Sequence, residues 1–143
     1  MRLHRLALSP ATGPIGLLVA TSPAGAGGRL LTADLTGAAE VPGPGDPDGR
    51  GTAFVTVNPG QGEICFDLNV SGIAPATAAH IHEAPAGQAG PVVVTLTAPT
   101  SGSSSDCVAV GRAQAKDILK NSSDYYVNVH NAEFPGGALR GQL

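Results

Sequence analysis

Two histidines one residue apart, His80 and His82 in the run Ala79-His80-Ile81-His82-Glu83, have the types and spacing that do metal chemistry. On an extended strand, side chains alternate between faces and residues two apart lie about 6.5–7 Å from each other. Both imidazoles would then leave one face while Ile81 points into the opposite layer. A second alternating run, Tyr126-Val127-Asn128-Val129-His130, puts Val127 and Val129 on one face and Asn128 and His130 on the other. A third imidazole would then meet the first two across the sheets of a β-rich fold, and three neutral imidazoles suit a transition metal. The same spacing also fits polar residues on the solvated face of a strand, and spacing alone does not separate the two readings.

The elements that must position these residues are short strands. Twelve prolines, twenty glycines and only 13% charged residues point to strands joined by turns rather than to a helical architecture. Arg29 to Leu35 reads as a first strand, and Thr36 to Gly49 as a long surface loop whose Pro and Gly density forbids a regular element. Asp46 and Asp48 in that loop lack the further oxygen ligands of a calcium loop and read as solvated turn residues. Gly51 to Val57 and Glu63 to Val70 form a hairpin about the turn Asn58 to Gly62. In its second strand Ile64, Phe66, Leu68 and Val70 face inward and Cys65, Asp67 and Asn69 outward.

Thr77 to Glu83 carries the histidine pair. The loop Ala84 to Gly90 follows, and Pro91 to Thr97, with Val92, Val93 and Val94 in a row, reads as a well-buried strand. Ser101 to Ser105 reads as a flexible tip, Asp106 to Arg112 as a short strand, and Ala113 to Asn121 as a short connecting helix burying Ala115, Ile118 and Leu119. Asp124 to His130 and Ala138 to Leu143 complete seven or eight short antiparallel strands, an all-β Greek-key β-sandwich with one short helix.

Several function classes are excluded or weakened by composition. A net charge of −3, with eight Lys and Arg spread thinly along 143 residues, offers no basic stripe for nucleic acid. Three Phe, two Tyr and no Trp leave few stacking platforms. The serines of 101–105 lack a Gly-x-Ser-x-Gly elbow, so nucleophilic hydrolysis is not indicated. No apolar run approaches the roughly 20 residues of a membrane span.

Residues 1–28 read as a secretory signal peptide: Arg2, His4 and Arg5, then the apolar Ile15 to Ala20, then the small-residue run Thr21 to Gly28. An exported, periplasmic or extracellular protein with two cysteines, Cys65 and Cys107, is expected to join them in a disulfide. Because Cys65 faces outward, the bridge would lie on the outer face or reach a covering loop.

Taken in order, Gly37 to Pro42, Gly62 to Phe66, Ala79 to Glu83 with Gly87 to Val94, Tyr125 to His130 and Pro135 to Leu143 resemble the CHRD domain, the module named after chordin and common in exported bacterial proteins. The resemblance runs from about Leu30 to the last residue and implies a domain over 29–143. A weaker resemblance links His80, His82 and His130 to the copper ligands of the copper/zinc superoxide dismutases, which are β-sandwiches. There is no fourth histidine to bridge copper to zinc and no long zinc loop, and Arg140 does not align securely with that family's substrate-guiding arginine.

With these resemblances copper is the favoured ion and zinc the next, since imidazole is too soft for magnesium or calcium. Glu83 or Asn128 would orient an imidazole from behind. Three functions follow: an exported module that binds copper, an extracellular interaction or matrix module that engages another protein without metal, and a dismutase-like redox enzyme. The acidic balance and missing bridging ligand weigh against the enzyme.

Overall fold

The computed structural model describes residues 27–143, so nearly all of the expected signal, 1–28, lies outside the described residues. Eight antiparallel strands form one nearly closed sheet in the order β5-β4-β7-β8-β1-β2-β3-β6. They are β1 (Arg29–Thr36), β2 (Arg50–Asn58), β3 (Glu63–Ser71), β4 (Ala76–Glu83), β5 (Val92–Leu96), β6 (Ser103–Ala109), β7 (Tyr125–Asn131) and β8 (Leu139–Gln142). The helix α1 (Arg112–Lys120) connects β6 to β7.

β1 and β8 share one residue pair, Thr36 with Arg140, whereas β1 and β2 pair along their whole lengths. The sheet therefore folds over at β1/β8 into two four-stranded halves, which is the Greek-key sandwich expected. Gly141 permits the close approach at this seam, because a Cβ there would run into the Asp34 carbonyl.

Alternation builds the core. Leu31, Ala33 and Leu35 of β1, Ala53, Val55 and Val57 of β2, and Ile64, Phe66 and Leu68 of β3 are buried from one half. Ala79, Ile81, Val94, Leu96, Val127, Val129 and Leu139 are buried from the other. Residues of the opposite parity on β3 face solvent, as their sequence period requires. In α1, Ala115 and Ile118 are buried and Leu119 half-buried, so one helix face lies on the core and the helix packs against β2 and β3.

Three expectations change. Among the described residues Val92–Leu96 is an edge strand paired only with β4, so Val92 is 48% exposed and only Val94 and Leu96 are buried in it; a run of three valines does not distinguish an edge from a central strand. The serines of 101–105 are not a free tip, because Ser103, Ser104 and Ser105 pair with Asn69, Leu68 and Asp67 in β6. Asp46 is buried, not solvated: its Oδ1 accepts from the Asp48 backbone N–H at 2.9 Å and its own N–H donates to the Ala138 carbonyl at 2.8 Å, pinning the loop to the residue that leads into β8.

Cys65 and Cys107 stand directly opposite one another on β3 and β6 and form a disulfide on the outer face. The bridge closes a loop of sequence separation 42 and ties the last strand of this half to its neighbour. Restricting the unfolded chain in this way contributes about 4 kcal/mol in the entropic treatment. Reduction should lower the urea midpoint by a corresponding amount, and thiol labelling of the denatured, unreduced protein should find no free cysteine. Two labelled thiols would refute the bridge.

Candidate metal centre

β4 and β7 are neighbours in one half of the sheet, with His80 opposite Asn128 and His82 opposite Tyr126. His130 lies two residues beyond Asn128 and shares its face. The three imidazoles therefore meet on the outer face of adjacent strands, rather than across the sandwich as expected, with Ile81, Val127 and Val129 pointing to the core behind them. His80 and His130 approach with Nδ1 to Nε2 at 3.2 Å, and one ring nitrogen from each of His80, His82 and His130 falls within 4.8 Å of the others.

Two backbone carbonyls fix the rings. His82 Nδ1 donates to the Gly90 carbonyl at 2.8 Å, and His130 Nδ1 donates to the Pro135 carbonyl at 3.0 Å. A carbonyl only accepts, so in the neutral rings both Nδ1 atoms carry the proton and both Nε2 atoms present lone pairs. His82 Nε2 is buried and has no hydrogen-bond partner among the described residues. Burial, with the neighbouring imidazoles adding to it, holds the His80 pKa below the usual histidine range; burial likewise lowers His130. Both rings are thereby kept neutral, the state a metal ligand needs.

The Gly90 carbonyl reaches His82 because the loop folds tightly back on the end of β4: a Cβ at Gly90 would meet the Glu83 carbonyl. Arg140 holds this loop. Only 1% exposed, it donates from Nη1 to the Gln88 carbonyl at 2.7 Å and from Nη2 to the Pro85 carbonyl at 3.0 Å. Its guanidinium carbon lies 3.4 Å above the centre of the Tyr126 ring, and Tyr126 stacks on His82 at 4.8 Å with the planes 8° apart. Arg140, Tyr126 and His82 form one column that sets the plane of the His82 ring.

On the other side of the cluster Asn128, 3% exposed, brings Oδ1 to 3.1 Å from His130 Nε2 and also hydrogen-bonds toward His80. Behind it stands Glu40, 5% exposed, with Oε1 buried and without a hydrogen-bond partner among the described residues. Glu83 is placed elsewhere. It is exposed, it pairs with Tyr125, and its charge acts on the Tyr125 phenol rather than on the imidazoles. Asn128 is thus in the cluster and Glu83 outside it. Tyr126 has the same parity as Asn128 and His130, a signal that could have drawn it in; Glu40, in an irregular loop, carries no such signal.

Burial raises the Glu40 carboxyl from 4.5 to about 7, against the pull of the Arg140 charge, the Val41 N–H and Asn128. The folded protein keeps this proton to higher pH than the unfolded chain, so stability is lost as pH rises through the window from 4.5 to about 7. Glu40→Gln should remove that loss. The stability of the variant relative to the parent should grow by about 1–2 kcal/mol between about pH 5 and about pH 8, the shift being discounted for solvent screening. Denaturant titrations at the two pH values test it, and a constant difference would contradict it.

No curated protein and no solved structure matches the chain. The family model of the CHRD domain matches residues 31–143. With most of its length matched, from β1 through the histidine strands to the last residue, the chain belongs to the CHRD domain family.

Proposed function

We propose that this CHRD domain is an exported module that binds one copper ion through His80, His82 and His130. The observation that carries the reading is the balance of lone pairs and protons at the cluster. With Nδ1 of His82 and of His130 each engaged by a carbonyl, His82 Nε2, His130 Nε2 and Asn128 Oδ1 are all acceptors, and His80 can offer them at most one N–H. Buried acceptors facing one another without protons are costly, and a bound cation relieves that cost. Imidazole donors select a transition metal, and among divalent ions copper heads the affinity order, with zinc below it. Export accords with the disulfide and with the signal-like residues 1–28.

Binding is favoured over dismutase-like turnover by Arg140. Its guanidinium is engaged with the loop carbonyls, Gln142 and the Tyr126 ring, and is not free to guide an anion to the histidines. Metal analysis of protein purified without a histidine tag, followed by copper titration against a competing chelator, tests the proposal. One tightly held copper per chain is expected. A protein that takes up neither copper nor zinc would instead be an extracellular interaction module.

A further inference from the structure

We propose that the side-chain carbonyl of Asn128 is the fourth ligand of the ion, completing a set of three nitrogens and one oxygen. The proposal rests on the three-histidine reading and deepens it. Asn128 is directly opposite His80 in the β4–β7 register and two residues before His130 on the same face, so the backbone delivers its amide between the two imidazoles. Its Oδ1 is 3.1 Å from His130 Nε2, and His80 Nδ1 is 3.2 Å from the same nitrogen. Ligand atoms held at about 2.0–2.2 Å from one ion lie about 2.8–3.1 Å apart at right angles and about 3.3–3.6 Å apart in a tetrahedron, so these separations fall among those of donors sharing an ion.

The orientation of the amide follows from its surroundings. Glu40, buried behind Asn128, offers carboxyl oxygens that attract the amide N–H groups, which turns Oδ1 toward the histidines. The facing pair, Oδ1 and His130 Nε2, are both acceptors once His130 Nδ1 donates to the Pro135 carbonyl. An ion between them satisfies both. With the fourth position filled from within the chain, an exogenous small anion can enter only as a fifth ligand and is held more weakly than where that position is open.

The test uses the full chain loaded with copper(II) and probed with azide, read by the azide-to-copper charge-transfer band and by electron paramagnetic resonance. The copper form of the parent should take up azide only weakly, as a fifth ligand. Asn128→Val should develop the azide band, change the resonance spectrum and lose at least about tenfold in copper affinity, while Asn128→Asp, which keeps an oxygen donor, should take up azide as weakly as the parent does. Parent protein whose copper(II) resonance broadens, as for an equatorial water, in water enriched in the magnetic oxygen isotope, or that takes up azide as tightly as Asn128→Val, overturns the inference while leaving the histidine reading intact, and the first outcome needs no variant to fold. An Asn128→Val protein with unchanged spectrum and affinity overturns it equally. Parent protein that binds no copper removes the three-histidine reading, and the fourth ligand with it.

Discussion

Alanine in place of His82 should lower copper affinity by well over a hundredfold, beyond the roughly 10–100-fold that losing an outer-shell partner costs. The ring is held by the Gly90 carbonyl and sandwiched on Tyr126, so its Nε2 cannot be replaced by a neighbouring group without rebuilding the loop. Alanine at His80 or His130 should act similarly, because each removes one of the three converging nitrogens. The triple variant should bind copper no better than an unrelated β-sandwich. His4, the remaining histidine of the chain, belongs to the expected signal. Copper held by the triple variant as tightly as by the parent would place the ion elsewhere. Thermal melting of the metal-free proteins checks that the loss is one of ligands, not of fold.

Phe66→Ala should cost about 3–5 kcal/mol of stability, the usual range for emptying an aromatic site in a packed core. Phe66 is 2% exposed on β3, between Ile64 and Leu68, and faces the second half of the sandwich. Its neighbour Asp67 is exposed, and Asp67→Val should stay within about half a kcal/mol of the parent. Urea denaturation with a constant m-value would read both, and equal losses at the two positions would mean that the strand register is wrong.

The hairpin of β2 and β3 was legible because its information is local: a period of two, bounded by a turn, says which side of a strand is buried. The same holds for the His80/His82 pair and for the parity of Asn128 with His130. What could not be read is which strands lie side by side. That β4 and β7 are neighbours, placing all three imidazoles on one face, depends on pairing between segments far apart in the chain. The edge position of β5 is likewise a property of the whole sheet, so Val92 to Val94 read as core when only Val94 is buried there. Glu40 and Asp46 were invisible for a related reason. Pro and Gly foretell a loop, but only the tertiary contacts with Ala138 and Asn128 decide that parts of it are buried.

The β4–β7 pairing also bears on the order of events during folding. His80 and His82 are together as soon as β4 is extended, but His130 is 50 residues from His80, beyond β5, β6 and α1. Closing so long a segment is among the entropically expensive steps, and topologies rich in such non-local pairings fold slowly. An unfolded or half-folded chain therefore presents a two-imidazole chelate at best. The complete donor set exists only once the sandwich has closed, so an ion of the proposed kind would be captured late and would stabilise the finished native state through mass action. In an exported protein, acquisition of the ion would then follow translocation and would report that the chain has matured.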